Sequence, residues 1–88
     1  INKMELKEQF EQAAAESKTL PSKPSNETLL LLYSLYKQGS VGDIDTEPPS
    51  NPFDFVAKAK YDAWAALKGK SNDDAMTAYV ELVKKLQE

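Results

Sequence analysis

The sequence contains no cysteine, no histidine and no arginine, and each absence removes a class of chemistry. Without cysteine there can be no disulfide framework, zinc–thiolate site or thiol nucleophile. Without histidine the commonest general base and the commonest metal ligand are both missing. Any catalysis would have to run on carboxylates, lysine, tyrosine or serine, so the chain is expected not to be an enzyme and to need no cofactor or metal. The lack of arginine, with a net charge of −3, argues against nucleic acid, whose binders are basic over the binding face and use arginine for bidentate contacts. Lysine, of which there are 11, still serves as a point-charge partner for phosphate. No apolar run approaches the ~20 residues of a membrane span, and the first residues have no signal-peptide h-region. Stable membrane insertion is therefore not expected, and a cytoplasmic, intracellular location follows as the default.

What is present, 88 residues with 41% hydrophobic side chains, suits a single domain (1–88) with one modest core. Proline is confined to two clusters, Pro21 with Pro24 and Pro48 with Pro49 and Pro52, which divide the chain into helical segments. The expected helices run roughly over 3–18, 25–38, 54–68 and 71–87. Asn2 suits the first N-cap, with Glu5 at the third helical position, and Leu6, Phe10, Ala13, Ala14 and Ser17 share one face. Ser25 caps the second helix, and Gly39 is expected to stop it. The third begins near Phe53 or Asp54 and ends at Gly69. The fourth opens at Ser71-Asn72-Asp73-Asp74, closes on Lys84 and Lys85, and carries the stripe Ala75, Tyr79, Leu82, Val83 and Leu86 with Met76 alongside. Nothing has the period of a strand, so the fold class is all-α, a small bundle.

The second helix is more apolar than such a bundle requires. Leu29, Leu32, Leu35 and Tyr36 form one face suited to a core. Leu30, Tyr33 and Lys37 form a second stripe at i, i+3, i+7, and Leu31 adds apolar surface elsewhere. A central helix buried on several sides explains this excess when the helix is taken alone. The third helix shifts the balance, because Lys60 interrupts the line Val56, Ala63, Leu67, and lysine is seldom fully buried without a partner. Leucine, ring and ammonium on two helices suggest a groove for an amphiphilic anion. Rings can stack on a base, lysine can meet phosphate, and leucine can line a lipid tail.

The blocks Lys23-Pro24-Ser25, Tyr33-Ser34-Leu35-Tyr36-Lys37-Gln38, Val41-Gly42-Asp43-Ile44, Lys58-Ala59-Lys60-Tyr61-Asp62-Ala63-Trp64, Leu67-Lys68-Gly69 and Asp74-Ala75-Met76-Thr77-Ala78-Tyr79 resemble, in order, the acyl-CoA-binding protein family. The likeness covers roughly Phe10 to Leu86. It implies a four-helix bundle of up-down-down-up topology with a surface groove for long-chain acyl-CoA. It also implies non-enzymatic binding, buffering and transport of medium- to long-chain acyl-CoA esters by a monomer. By that resemblance Tyr33, Lys37 and Lys60 meet the ribose 3′-phosphate, Tyr36 lies by the adenine, and Tyr79 contributes from the fourth helix. Lys18 matches a further ligand-contacting lysine, and Leu30 sits where the acyl chain runs.

Four positions depart from the family pattern. Val56 stands where many members have a lysine near the CoA phosphates, and Pro48 replaces a common basic residue. Tyr61 replaces the usual first tryptophan, and Ser17 a normally apolar contact. Two other readings remain: a helical module that docks a partner protein, and a substrate-feeding domain of a larger lipid-metabolic enzyme. Asp43, Asp45 and Glu47 alternate like the start of a calcium loop, but Pro48 occupies the position where that loop needs glycine. A solvated acidic loop is the reading they support. Trp64 reads as packing, and Tyr79, on a core stripe, fits either packing or ligand contact.

Overall fold

The structure, a computed structural model, describes residues 3–88, with side chains from Glu5 onward. Four α-helices account for the regular structure among the described residues: α1 (Lys3–Glu16), α2 (Asn26–Ser40), α3 (Phe55–Ala65) and α4 (Asn72–Leu86). A single 3₁₀ turn, Ser17–Thr19, extends α1. The N-cap assigned to Asn2 lies outside the described residues.

The remaining helix starts are set by side-chain caps that satisfy otherwise orphaned amides. The Ser25 hydroxyl accepts the Thr28 N–H, Asp54 accepts from Ala57, and Ser71 accepts from Asp74. At the C-termini the structure corrects two expectations. α2 does not stop at Gly39 but runs through it to Ser40, and Gly42, at φ +108°, makes the left-handed exit. Gly39 serves packing instead, since a Cβ there would lie 3.1 Å from both Met76 Cγ and Phe10 Cζ. α3 ends at Ala65 rather than near residue 68. Its last carbonyls are taken up by tight turns, Trp64 accepting from Leu67 and Ala65 from Lys68, before Gly69 at φ +95°.

α4 packs against both α1 and α2, while α3 leans chiefly on α2. The start of α3 (Phe55, Val56) lies beside the start of α2 (Asn26, Leu29), and Trp64 lies beside Lys37 further along, so α2 and α3 run parallel. Ser17, at the end of α1, meets the start of α2 and the middle of α4, which completes the expected up-down-down-up arrangement. A parallel pair needs a return crossover, supplied by residues 41–54.

The main core joins α1, α2 and α4 through Phe10, Ala13, Leu32, Leu35, Met76, Tyr79, Val80 and Val83. Phe10 is central to it. Its ring stacks on Tyr36 (centroids 5.2 Å apart, 20° between planes) and meets Tyr79 edge-on at 5.2 Å and 70°. Such aromatic pairs add about 0.5–1.5 kcal/mol beyond the area they bury. Val80 is buried although the expected α4 stripe omitted it, and Leu82 and Leu86 are only half-buried.

Candidate functional site

The outward side of α2 is hollowed where α1, α3 and the crossover approach it, giving three adjoining clefts. The first, of 370 Å³, lies between the first halves of α2 and α3 and is lined by Asn26, Leu29, Leu30, Phe55, Val56, Ala59 and Lys60. Its walls are almost wholly apolar. The second, of 430 Å³, lies between α2, α4 and the end of α1, with Lys18, Leu29, Leu32, Tyr33, Tyr36 and Tyr79 around it. The third, of 240 Å³, places Tyr33 and Lys37 beside Tyr61 and Trp64, under the crossover residues Thr46, Glu47 and Pro49. Leu29 is common to the first and second clefts and Tyr33 to the second and third, so the three form one branched groove.

Two lysines stand at the junctions. The Lys60 ammonium sits 5.3 Å from the centre of the Tyr33 ring, and the Lys37 ammonium 5.1 Å from that of Trp64. Ring faces attract cations weakly at exposed sites, at about 0.5–1 kcal/mol. The only ion pair among the described residues joins Lys58 to Asp62 at 3.8 Å, so neither Lys37 nor Lys60 is held there by a carboxylate. An arriving anion could take either ammonium without first displacing an acid.

Tyr79 is 4% exposed, belongs to the main core, and still lines the second cleft. Its hydroxyl donates to Ser17 Oγ at 3.2 Å, and Ser17 in turn donates to the Ala14 carbonyl at 2.7 Å. Burial raises the phenol's pKa; the Ser17 hydrogen bond opposes this and Tyr36 adds to it. The polar residue at position 17 thus partners Tyr79.

The third cleft is held in shape by an amide that the sequence reading left aside. Gln38 is completely buried. Its Nε2 donates to Asp43 Oδ1 at 2.8 Å and to the Lys70 carbonyl at 2.7 Å, and its Oε1 accepts from Trp64 Nε1 at 3.2 Å. Trp64 Nε1 also donates to the Gly42 carbonyl at 2.8 Å. Asn72 closes the circuit by donating to the Gln38 and Gly39 carbonyls at 3.2 and 3.1 Å. The end of α3 is thereby tied to the end of α2 and the start of α4, which fixes the ring beneath Lys37.

Asp43 is more than part of a solvated acidic loop. Its carboxylate accepts the Gly69 N–H at 2.8 Å as well as the Gln38 amide. The Gly69 bond lowers its pKa most, followed by Gln38, with a smaller contribution from Lys68. Trp64 is buried packing, as expected.

Of the residues singled out in the sequence, Lys18, Tyr33, Tyr36 and Tyr79 meet around the second cleft. Leu30 and Lys60 share the first, and Lys37 joins Tyr33 at the third. Leu29, assigned to the core face, is 38% exposed and floors two clefts instead. Its spacing four residues before Tyr33 was the available signal. Phe55 and Val56, at 72% and 66% exposure, line the first cleft; Phe55 was not singled out in the sequence, and Val56 only as a member of the Lys60 stripe and a departure from the family pattern.

A groove with an apolar branch, a ring-walled branch and lysines free of acids defines a small helical binding protein. The chain belongs to the acyl-CoA-binding protein family: the family model described as "Acyl CoA binding protein" matches residues 7–83. It is 49% identical over 85 residues to the acyl-CoA-binding protein of Gossypium hirsutum, covering 97% of this chain and 94% of that one. It is 51% identical over 85 residues to the protein of the same name from Fritillaria agrestis, covering 97% of each. The crystal structure of acyl-CoA-binding protein 2 from Oryza sativa superposes with a TM-score of 0.89 at 48% identity, over 94% of this chain and 89% of that one.

Proposed function

We propose that this chain, residues 1–88 acting as a single acyl-CoA-binding domain, binds medium- to long-chain acyl-CoA esters. It buffers and carries them in the cytoplasm as a monomer, with no chemistry of its own. The observation that carries the reading is the shared edge of the first cleft. Leu29 borders both the apolar branch and the ring-walled branch, and Lys60 of the apolar branch reaches the Tyr33 ring of the other, so one ligand can place an anionic head and a lipid tail side by side. In this reading Tyr33, Lys37 and Lys60 hold the 3′-phosphate, and Lys18 makes a further head-group contact. The adenine lies by Tyr36, with Tyr79 behind it, and the acyl chain passes Leu30. Among the described residues no helix is long and apolar enough to cross a membrane.

The magnitudes separate the roles. Each buried methylene contributes about 0.8 kcal/mol, so ten contribute ~8 kcal/mol before ordering costs. A charge-assisted contact adds about 1.5–3 kcal/mol. Tail burial therefore dominates affinity and phosphate contacts fix orientation. The partner-docking module and the substrate-feeding domain are not favoured beside full-length relatives named for acyl-CoA.

Calorimetric titration with a long-chain acyl-CoA, the matching free fatty acid and CoA alone tests the reading. The ester is expected to bind more tightly than either part, and equal affinity for the fatty acid would refute the head-group assignment. Lys37→Ala and Lys60→Ala are each expected to weaken binding by about 1.5–3 kcal/mol with unchanged helicity. Unaltered affinity in both would remove the phosphate role.

A further inference from the structure

Phe53 is the most exposed of the large hydrophobic side chains among the described residues, at 78%. It lines none of the three branches of the groove, and neither the core nor a helix cap uses it. Polar residues are the ordinary occupants of such positions. The backbone around it is nonetheless fixed. The Asn51 carbonyl accepts the Asp54 N–H at 3.1 Å, closing a β-turn with Asn51 first, Pro52 second and Phe53 third. Inside that turn Asn51 Oδ1 accepts the Phe53 N–H at 3.0 Å, which makes an Asx turn of the same residues. Proline suits the second position because it arrives with its φ already set. Asp54 then caps α3 through the Ala57 N–H, so one side of the turn is anchored to a helix. On the other side Pro48 and Pro49 stiffen the approach. There the crossover borders a hollow of 350 Å³ with Lys58, Tyr61 and Asp62, which shares no residue with the apolar cleft.

The turn thus holds out a phenyl ring and, beside it, a carboxamide with hydrogens to give. Among the described residues Asn51 Nδ2 donates to nothing. Asp45, Glu47 and Asp54 are exposed in and next to the crossover, so this end of the molecule is acidic. That charge opposes a negatively charged lipid surface and favours a basic one. We propose that Asn51-Pro52-Phe53 is a docking turn for a partner protein. The partner is a domain with a narrow apolar pocket for the ring, acceptors for the Asn51 amide and a basic rim. Because the turn is already formed, little conformational freedom is lost on docking. The ring is an aromatic anchor of the kind that dominates small interfaces. The three residues line no branch of the groove, so the partner can hold the chain with its ligand in place. The inference stands on the turn alone and is independent of the acyl-CoA reading.

The test is calorimetric titration of the folded chain with a recombinant domain that binds short linear Asn-Pro-Phe peptides. Co-sedimentation with phosphatidylcholine–phosphatidylserine vesicles is run beside it. The wild type is compared with Phe53→Ser, Asn51→Ala and Val41→Ser, the last a control at another exposed apolar residue. Circular dichroism first establishes equal helicity. The wild type is expected to bind the domain and to be displaced by excess free Asn-Pro-Phe peptide. Phe53→Ser and Asn51→Ala are each expected to weaken binding by about tenfold or more, and Val41→Ser by less than about twofold. No binding by the wild type, unchanged binding by either turn variant, an equal loss in Val41→Ser, or failure of the peptide to compete overturns the proposal. So does Phe53-dependent sedimentation with vesicles in place of domain binding, because that assigns the ring to a lipid surface.

Discussion

Replacing Gln38 should reveal how much of the scaffold depends on one buried amide. Alanine removes two donated hydrogen bonds, to Asp43 and Lys70, and one accepted from Trp64, and it leaves a cavity at a fully buried position. The bonds to the Lys70 carbonyl and from Trp64 contribute about 1 kcal/mol each, the cavity left by the truncated side chain adds its own cost, and the bond to the exposed Asp43 carboxylate is screened by solvent. Part of that loss is recovered. Asp43 keeps the Gly69 N–H, Trp64 keeps the Gly42 carbonyl, and Lys70 is exposed enough for water to replace the amide. A net loss of about 3 kcal/mol for Gln38→Ala results. Gln38→Met, which fills the space without the polar atoms, should cost roughly 1–2 kcal/mol. A chain of this size is stable by only about 4–13 kcal/mol, so the effect is large. Urea unfolding followed by the fluorescence of Trp64 measures it, with an expected midpoint shift near 3 M for alanine at an m-value of about 1 kcal/mol/M. If methionine matches the wild type within ~0.5 kcal/mol, the hydrogen-bond circuit does not hold the helix ends together and the reasoning is wrong.

Two further predictions follow from the same geometry. Because the Gly69 and Gln38 hydrogen bonds lower the Asp43 pKa in the folded state, their stabilisation is complete above the unfolded value of about 3.9 and disappears as pH falls through the folded value. Stability measured by urea titration across that acidic range should fall less steeply for Asp43→Asn than for the wild type, and an identical slope would contradict the assignment. Gly39→Ala gains up to about 1 kcal/mol in helix propensity but forces a methyl to within 3.1 Å of Phe10 and Met76, where overpacking costs about 1–3. A net loss of roughly 1 kcal/mol, read as a thermal midpoint lower by about 4–8 °C, is expected; a more stable variant would refute the packing role.

The helix starts were legible because a cap is a local device. Ser25, Asp54 and Ser71 each satisfy an amide three residues on, and proline and polar clusters flank them. The helix ends were less legible. Gly39 and Gly42 are equivalent as stop signals in sequence, and only the approach of Phe10 and Met76 from two other helices decides which one packs and which one turns. α3 gives way at Ala65 to tight turns, and the Gly69 N–H beyond them goes to Asp43, a partner 26 residues away that the local sequence does not announce. The site lysines and tyrosines were visible through their stripe and their family likeness. Leu29 was misplaced because helical spacing assigns it to a face without telling what covers that face. Gln38 had no local signal at all, since its three partners come from the crossover, α3 and the α3–α4 turn.

The helices are not equally committed to the core. Of α3's own residues only Trp64 is buried, and none joins the main cluster that binds α1, α2 and α4 together. Local opening follows the elements with the least buried apolar contact. The first half of α3, remote from the Gln38 circuit at its other end, can therefore swing from α2 while the three-helix core stays intact. That half is the outer wall of the apolar cleft. Opening of that half would widen the cleft from the side while the α1–α2–α4 core stays packed, and hydrogen exchange faster at the Val56–Lys60 amides than in α2 and α4 is the measurement that reads it.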